Sequence, residues 1–168
     1  MPPDGAIDAR QPSDPDGSNP GGWLWIDMLI SGDLSELTRE QFTVTQEGAV
    51  GAAPFVLALD RSIQGDYNVR VILSSRVPVG AWTTVTLTES GTSVRLGYLP
   101  GDANSDGTVS EEDIDTLIDA ISGAIDPLPE WSWDVDRSGR AASGDILRAI
   151  DLFNGAEHYP PFGGAVLP

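Results

Sequence analysis

The stretch GDANSDGTVSEED, Gly101 to Asp113, sets oxygen-bearing side chains at alternate positions, Asp102, Asn104 and Asp106, then Gly107, then Asp113 six residues on. Hard cations such as calcium take roughly six to eight oxygens at about 2.3–2.6 Å. A loop that supplies them at positions 1, 3, 5, 7, 9 and 12, with glycine at position 6, wraps one ion. On that template Asp102, Asn104 and Asp106 are side-chain ligands, and Thr108 contributes its backbone carbonyl. Ser110 offers a water or its hydroxyl, and Asp113 closes the shell. Gly107 provides the positive φ of the sharp turn.

One such loop is weak evidence, because Asp, Asn and Gly also dominate ordinary turns. Here it recurs. A shift of 32 residues pairs Asp102 with Asp134, Asn104 with Asp136, Asp106 with Ser138, Gly107 with Gly139 and Asp113 with Asp145. The second loop, DVDRSGRAASGD, therefore offers Asp134, Asp136, Ser138, the carbonyl of Arg140 and Asp145, and the expected cofactor is two Ca2+ ions. Ser138 replaces a carboxylate, and Arg137 and Arg140 bring positive charge, so the second site is expected to be the weaker. Magnesium, which demands a smaller octahedron and keeps its waters, fits less well.

Each loop leads into a short amphipathic pattern: Ile114, Leu117, Ile118 and Ile121 in the first copy, Ile146, Ala149, Ile150 and Phe153 in the second. Both sets fall at i, i+3, i+4 and i+7, one face of a helix. Gly123 and Gly155 are the expected stops. Leu99-Pro100-Gly101 and Pro127-Leu128-Pro129-Glu130 precede the loops, and proline there argues against an entering helix. The expected unit is a loop plus an exiting helix, twice over.

Upstream the period changes to two. The runs Trp23 to Ile30, Gln41 to Gln46, Pro54 to Leu59, Tyr67 to Ser74, Trp82 to Thr88 and Ser93 to Leu99 alternate apolar and polar residues, with turns such as QGD and ESG between them. Six strands in this span predict an antiparallel β-sandwich of immunoglobulin-like size. The expected organisation is mixed, in two small domains. Residues 1–21 form an extended tail or linker, 22–100 the sandwich, 101–157 an all-α pair of loop-helix units, and 158–168 a C-terminal tail.

Composition narrows the function. The formal charge is −17 and all nine basic residues are arginine, which argues against nucleic acid or an anionic membrane as partner. The acid is concentrated late: 14 acidic and 3 basic residues fall between Asp102 and Glu157. With no cysteine, neither disulfides nor thiolate metal sites are available. His158 is the single histidine and lysine is absent, so the usual base and nucleophile pairs of an enzyme are missing. No run reaches the length of a membrane span. The N-terminus lacks a basic and apolar leader, so an export signal, if any, lies outside this chain.

A duplicated calcium loop with a single following helix and a proline-containing connector resembles a type I dockerin. The resemblance rests on LGYLPGDANSDGTVSEEDIDTLIDAI and DVDRSGRAASGDILRAIDLF, from Gly101 to about Ala156. It implies a noncatalytic, extracellular or cell-surface module of a secreted bacterial protein. Such a module folds around two calcium ions and docks onto a cohesin-like partner, often in a polysaccharide-processing assembly. It also implies that loop positions 10 and 11, often Ser-Thr in the family, face the partner. Here they are Glu111 and Glu112 in one copy and Ser143 and Gly144 in the other, so the two faces differ from each other and from the common pattern. Two alternatives stand beside docking. One is a structural subunit of a calcium-stabilised filament, self-associating through its tail or a strand. The other is a carbohydrate-binding accessory module using Trp23, Trp25 and Trp82, although tryptophans alternating in a strand are more often core.

Overall fold

The computed structural model describes residues 3–13, 20–49, 51–63, 68–156 and 158–168. The QGD turn, Tyr67, part of the expected N-terminal tail and Glu157 lie outside them. Seven strands form: β1 (Ile7–Asp8), β2 (Trp25–Met28), β3 (Phe42–Glu47), β4 (Val56–Asp60), β5 (Val69–Leu73), β6 (Ala81–Leu87) and β7 (Ser93–Tyr98). Three helices follow: α1 (Glu111–Ser122), α2 (Glu130–Trp133) and α3 (Ser143–Asn154).

The six alternating runs account for β2 to β7. Their period-two pattern turns Ala81, Thr83, Val85 and Leu87 of β6, and Val69, Val71 and Leu73 of β5, into the interior. One sheet has the order β1-β7-β6-β3 and the other β2-β5-β4. Register is exact enough to stack Val44 on Val85 and Phe42 on Leu87, while a bulge between Val56 and Ala58 bends β4 against β5. Ile26, Met28, Val71, Leu73, Val85, Leu96 and Tyr98 fill the space between the sheets.

Two features correct the expected fold class, an antiparallel sandwich followed by an all-α domain. The molecule is mostly β, with helices of only 12, 4 and 12 residues. The first sheet is also mixed, since β1 runs parallel to β7, Ile7 opposite Gly97. Two short amphipathic helices bury too little surface to form a core alone. They complete one with Ile7, Leu99 and Leu167, and Trp82 of β6 packs against the same cluster as Leu117 and Leu152.

The ends of the chain are therefore structural. Ala6, Ile7, Asp8, Ala9 and Gln11 are all buried. The backbone N–H of Leu99 donates to Asp8, and that of Gly101 to Ala9. At the other end Phe162 and Leu167 are buried, and Thr108 bridges Val166. The prolines before the second loop also allow more than expected. Pro129 caps the single turn of α2, where a missing N–H costs nothing.

Candidate metal centre

The two loops repeat bond for bond. In the first, Asp102 accepts from the N–H of Gly107 (3.0 Å), and Asp113 accepts from Asn104 (3.0 Å) and Ser110 (2.8 Å). In the second, Asp134 accepts from Gly139 (2.9 Å), and Asp145 from Asp136 (3.2 Å) and Ala142 (2.9 Å). Position 4 is left-handed in both, Ser105 at φ 61° and Arg137 at φ 64°, as are Gly107 and Gly139 at position 6. The closing carboxylate also caps its helix by accepting from the N-cap backbone. Gly123 ends α1 in a left-handed conformation, and Gly155 follows α3.

The carboxylates are buried as well as aligned. Asp102, Asp113, Asp134 and Asp145 all lie in the interior. Burial pushes the Asp102 carboxyl up to about 7, with the like charges of Asp113 and Asp106 adding to it. Burial also raises Asp113, Asp134 and Asp145. Charge held in this way without a counter-cation works against folding.

In the second loop Asp134, Asp136 and Asp145 each present an oxygen within 4.8 Å of the other two. Two oxygens on opposite sides of one calcium ion stand about 4.6–5.2 Å apart, so these three fit one coordination sphere. A carboxylate oxygen that accepts one backbone N–H retains a lone pair for a cation. Among the described residues the first loop's Asp102, Asp106 and Asp113 do not gather so closely. There Asn104 donates its amide to Asp106 (3.0 Å), and the other Asp106 oxygen accepts from Thr108 (2.8 Å). Charge ranks the first loop higher, but convergence of carboxylates ranks the second higher.

Gly144 accounts for part of that difference. A Cβ at this position would lie 2.7 Å from Asp136 Oδ2, so the carboxylate can sit where it does only above a glycine. The corresponding residue of the first loop is Glu112. Of the residues that the resemblance assigned to a partner, Glu111, Glu112 and Ser143 are exposed in the first turns of α1 and α3. Ser138 is exposed and reaches the carbonyl of Arg140 at 3.4 Å.

Sequence reading missed the residues that brace the loops from outside. Gln11 donates its backbone N–H to Val135 (2.9 Å) and its side-chain amide to the carbonyl of Asp136 (3.1 Å), and Tyr98 donates its hydroxyl to the Gln11 carbonyl. Ala9 donates to Trp131, and Tyr159 donates to the Ser13 carbonyl. The first loop is braced from the C-terminus: Val109 donates to Ala165, Gly164 to Val109 and Leu167 to Gly107. The only sequence trace of this was an isolated large apolar residue in each polar end, Ile7 and Leu167.

Comparison with family models, with curated proteins and with solved structures returned no match for the chain. No helix among the described residues is long and apolar enough to cross a membrane.

The raised carboxyls give a pH dependence. A carboxyl whose folded pKa lies above its unfolded value, about 3.9 for Asp, stabilises the fold below the unfolded value, and that stability is lost as pH rises through the folded one. In chelator, therefore, Asp102 contributes a loss of thermal stability between about pH 4 and pH 7. Asp102→Asn is expected to raise the melting temperature in chelator at about pH 8 and to lower it in excess calcium. Thermal scans of both proteins in both buffers check this crossing, and parallel shifts would contradict it.

Proposed function

We propose that this is a noncatalytic, extracellular calcium-binding protein whose duplicated loop-helix unit mediates association with another secreted protein, in the manner of a dockerin with a cohesin. The observation that carries this reading is the repeat of buried carboxylates in matched hydrogen-bond frames, with Asp134, Asp136 and Asp145 converging. Calcium would be held by these three in the second loop and by Asp102, Asn104, Asp106 and Asp113 in the first. The ion would neutralise charge that burial now penalises.

Association is supported by apolar surface on the helices. Ile118, Leu147 and Ile150 are exposed, and a groove of about 330 Å3 between α1 and α3 is lined by Ile114, Ile150 and Phe153 with Glu111 and Asp115. An apolar floor edged by acid suits a protein partner with an apolar anchor and basic rim. The filament alternative has less support, because β1 is paired within its own chain.

Calcium calorimetry tests the metal reading. The native chain is expected to take up calcium. Asp145→Asn should lose the second-loop ion, and Gly144→Ala should weaken it by about tenfold or more, because the new methyl displaces the Asp136 carboxylate. Absence of calcium uptake by the native chain would overturn the proposal. Sedimentation at rising concentration then separates docking, which leaves a monomer, from a filament.

A further inference from the structure

In a chain of net charge −17, three of the nine arginines line one small space. It measures about 220 Å3 and is framed by Arg10, Arg76 and Arg137 with Trp23 and Trp25, and no carboxylate lines it. The arginines come from three distant segments: the N-terminal brace, the turn after β5 and position 4 of the second loop. Arg10 is held by Asp8 in a two-pronged pair (2.8 and 3.0 Å) and lies 5.1 Å over the Trp23 ring. Arg76 donates to the carbonyl of Gly22 (2.8 Å) and has no carboxylate partner within ion-pair distance among the described residues. Burial, and then the neighbouring positive charge of Arg137, lowers its pKa. The indole Nε1 of Trp23 is buried without a hydrogen-bond partner.

Guanidinium and indole groups only donate, so the occupant must supply acceptors and negative charge. Drug-sized ligands fill clefts of about 300–1,000 Å3, so this smaller space suits one charged residue. A long polyanion would be repelled by the rest of the chain. Two indoles at the site offer flat faces to a ring, and Trp25 is 40% exposed. A peptide C-terminus would bring backbone N–H groups that need acceptors, whereas sugar hydroxyls accept from donors readily.

We propose that this pocket binds a single hexuronic-acid residue, as at the end of an acidic sugar chain, with its carboxylate on the guanidiniums and its ring against the indoles. The site is independent of the docking reading.

The test is an NMR titration of the full chain with galacturonic acid, galactose, acetate and an N-acetylated tripeptide with a free C-terminus. Galacturonic acid is expected to saturate one set of resonances around Trp23, Trp25 and Arg76, and to bind at least about tenfold more tightly than the other three. Arg76→Gln and the more exposed Trp25→Ala, each checked for native circular dichroism, should both weaken it by about tenfold or more, the scale of one charge-assisted hydrogen bond. Galactose or acetate binding equally well would overturn the proposal. So would tighter binding of the tripeptide, native affinity in both variants, or no saturable response.

Discussion

Chelation of calcium is expected to raise amide exchange together in three stretches far apart in sequence, residues 6–11, 101–154 and 159–168, while β3, β5 and β6 keep their protection. Calcium at about 100 times its dissociation constant would add roughly 2.7 kcal/mol per independent site, so its removal releases local openings of that size. The openings should spread because the loops hold both chain ends. Gln11 bonds to Val135 and Asp136, and Leu167 bonds to Gly107. The shared core of Ile7, Leu117, Leu152 and Leu167 gives them common packing. The core between the sheets contains none of these residues and has no reason to open. Exchange confined to residues 101–154 would mean that the loop-helix unit is energetically separate from the ends, and no change at all would mean that no ion is bound.

Ile7→Ala is expected to lower stability by about 2–5 kcal/mol, because a fully buried branched side chain is removed from a packed cluster. For a chain of this length that is on the order of 10 °C in melting temperature. A residue in a solvated tail would cost less than about 0.5 kcal/mol. Ile7 is 1% exposed, and its neighbour Asp8 is fully buried and paired with Arg10. The loss should appear in calcium and in chelator alike, since the packing does not depend on the ion. Thermal or denaturant unfolding of the variant measures it, and native stability would remove the N-terminal brace from the account.

Local patterns were legible because local forces set them. Alternation along Ala81 to Leu87 and Val69 to Leu73 marked strands whose period is two, and the repeat from Asp102 to Asp134 marked two loops built from side chains within twelve residues of each other. The order of convergence in those loops was less legible. It depends on whether a Cβ stands over position 3, and the absence of one at Gly144 has meaning only once Asp136 is placed above it. Counting carboxylates favoured the first loop, while their placement favours the second.

The sequence by itself determined the strands, the two loop-helix units and the acidic ligands, since each depends on residues a few positions apart. Tertiary structure alone decided that the ends of the chain belong to the core, that the helices share it with β6 and β7, and that Arg10, Arg76 and Arg137 meet. Those contacts join residues such as Gln11 and Asp136, 125 positions apart, and are selected by which leftover apolar and polar groups can be buried together. No period along the chain records that selection.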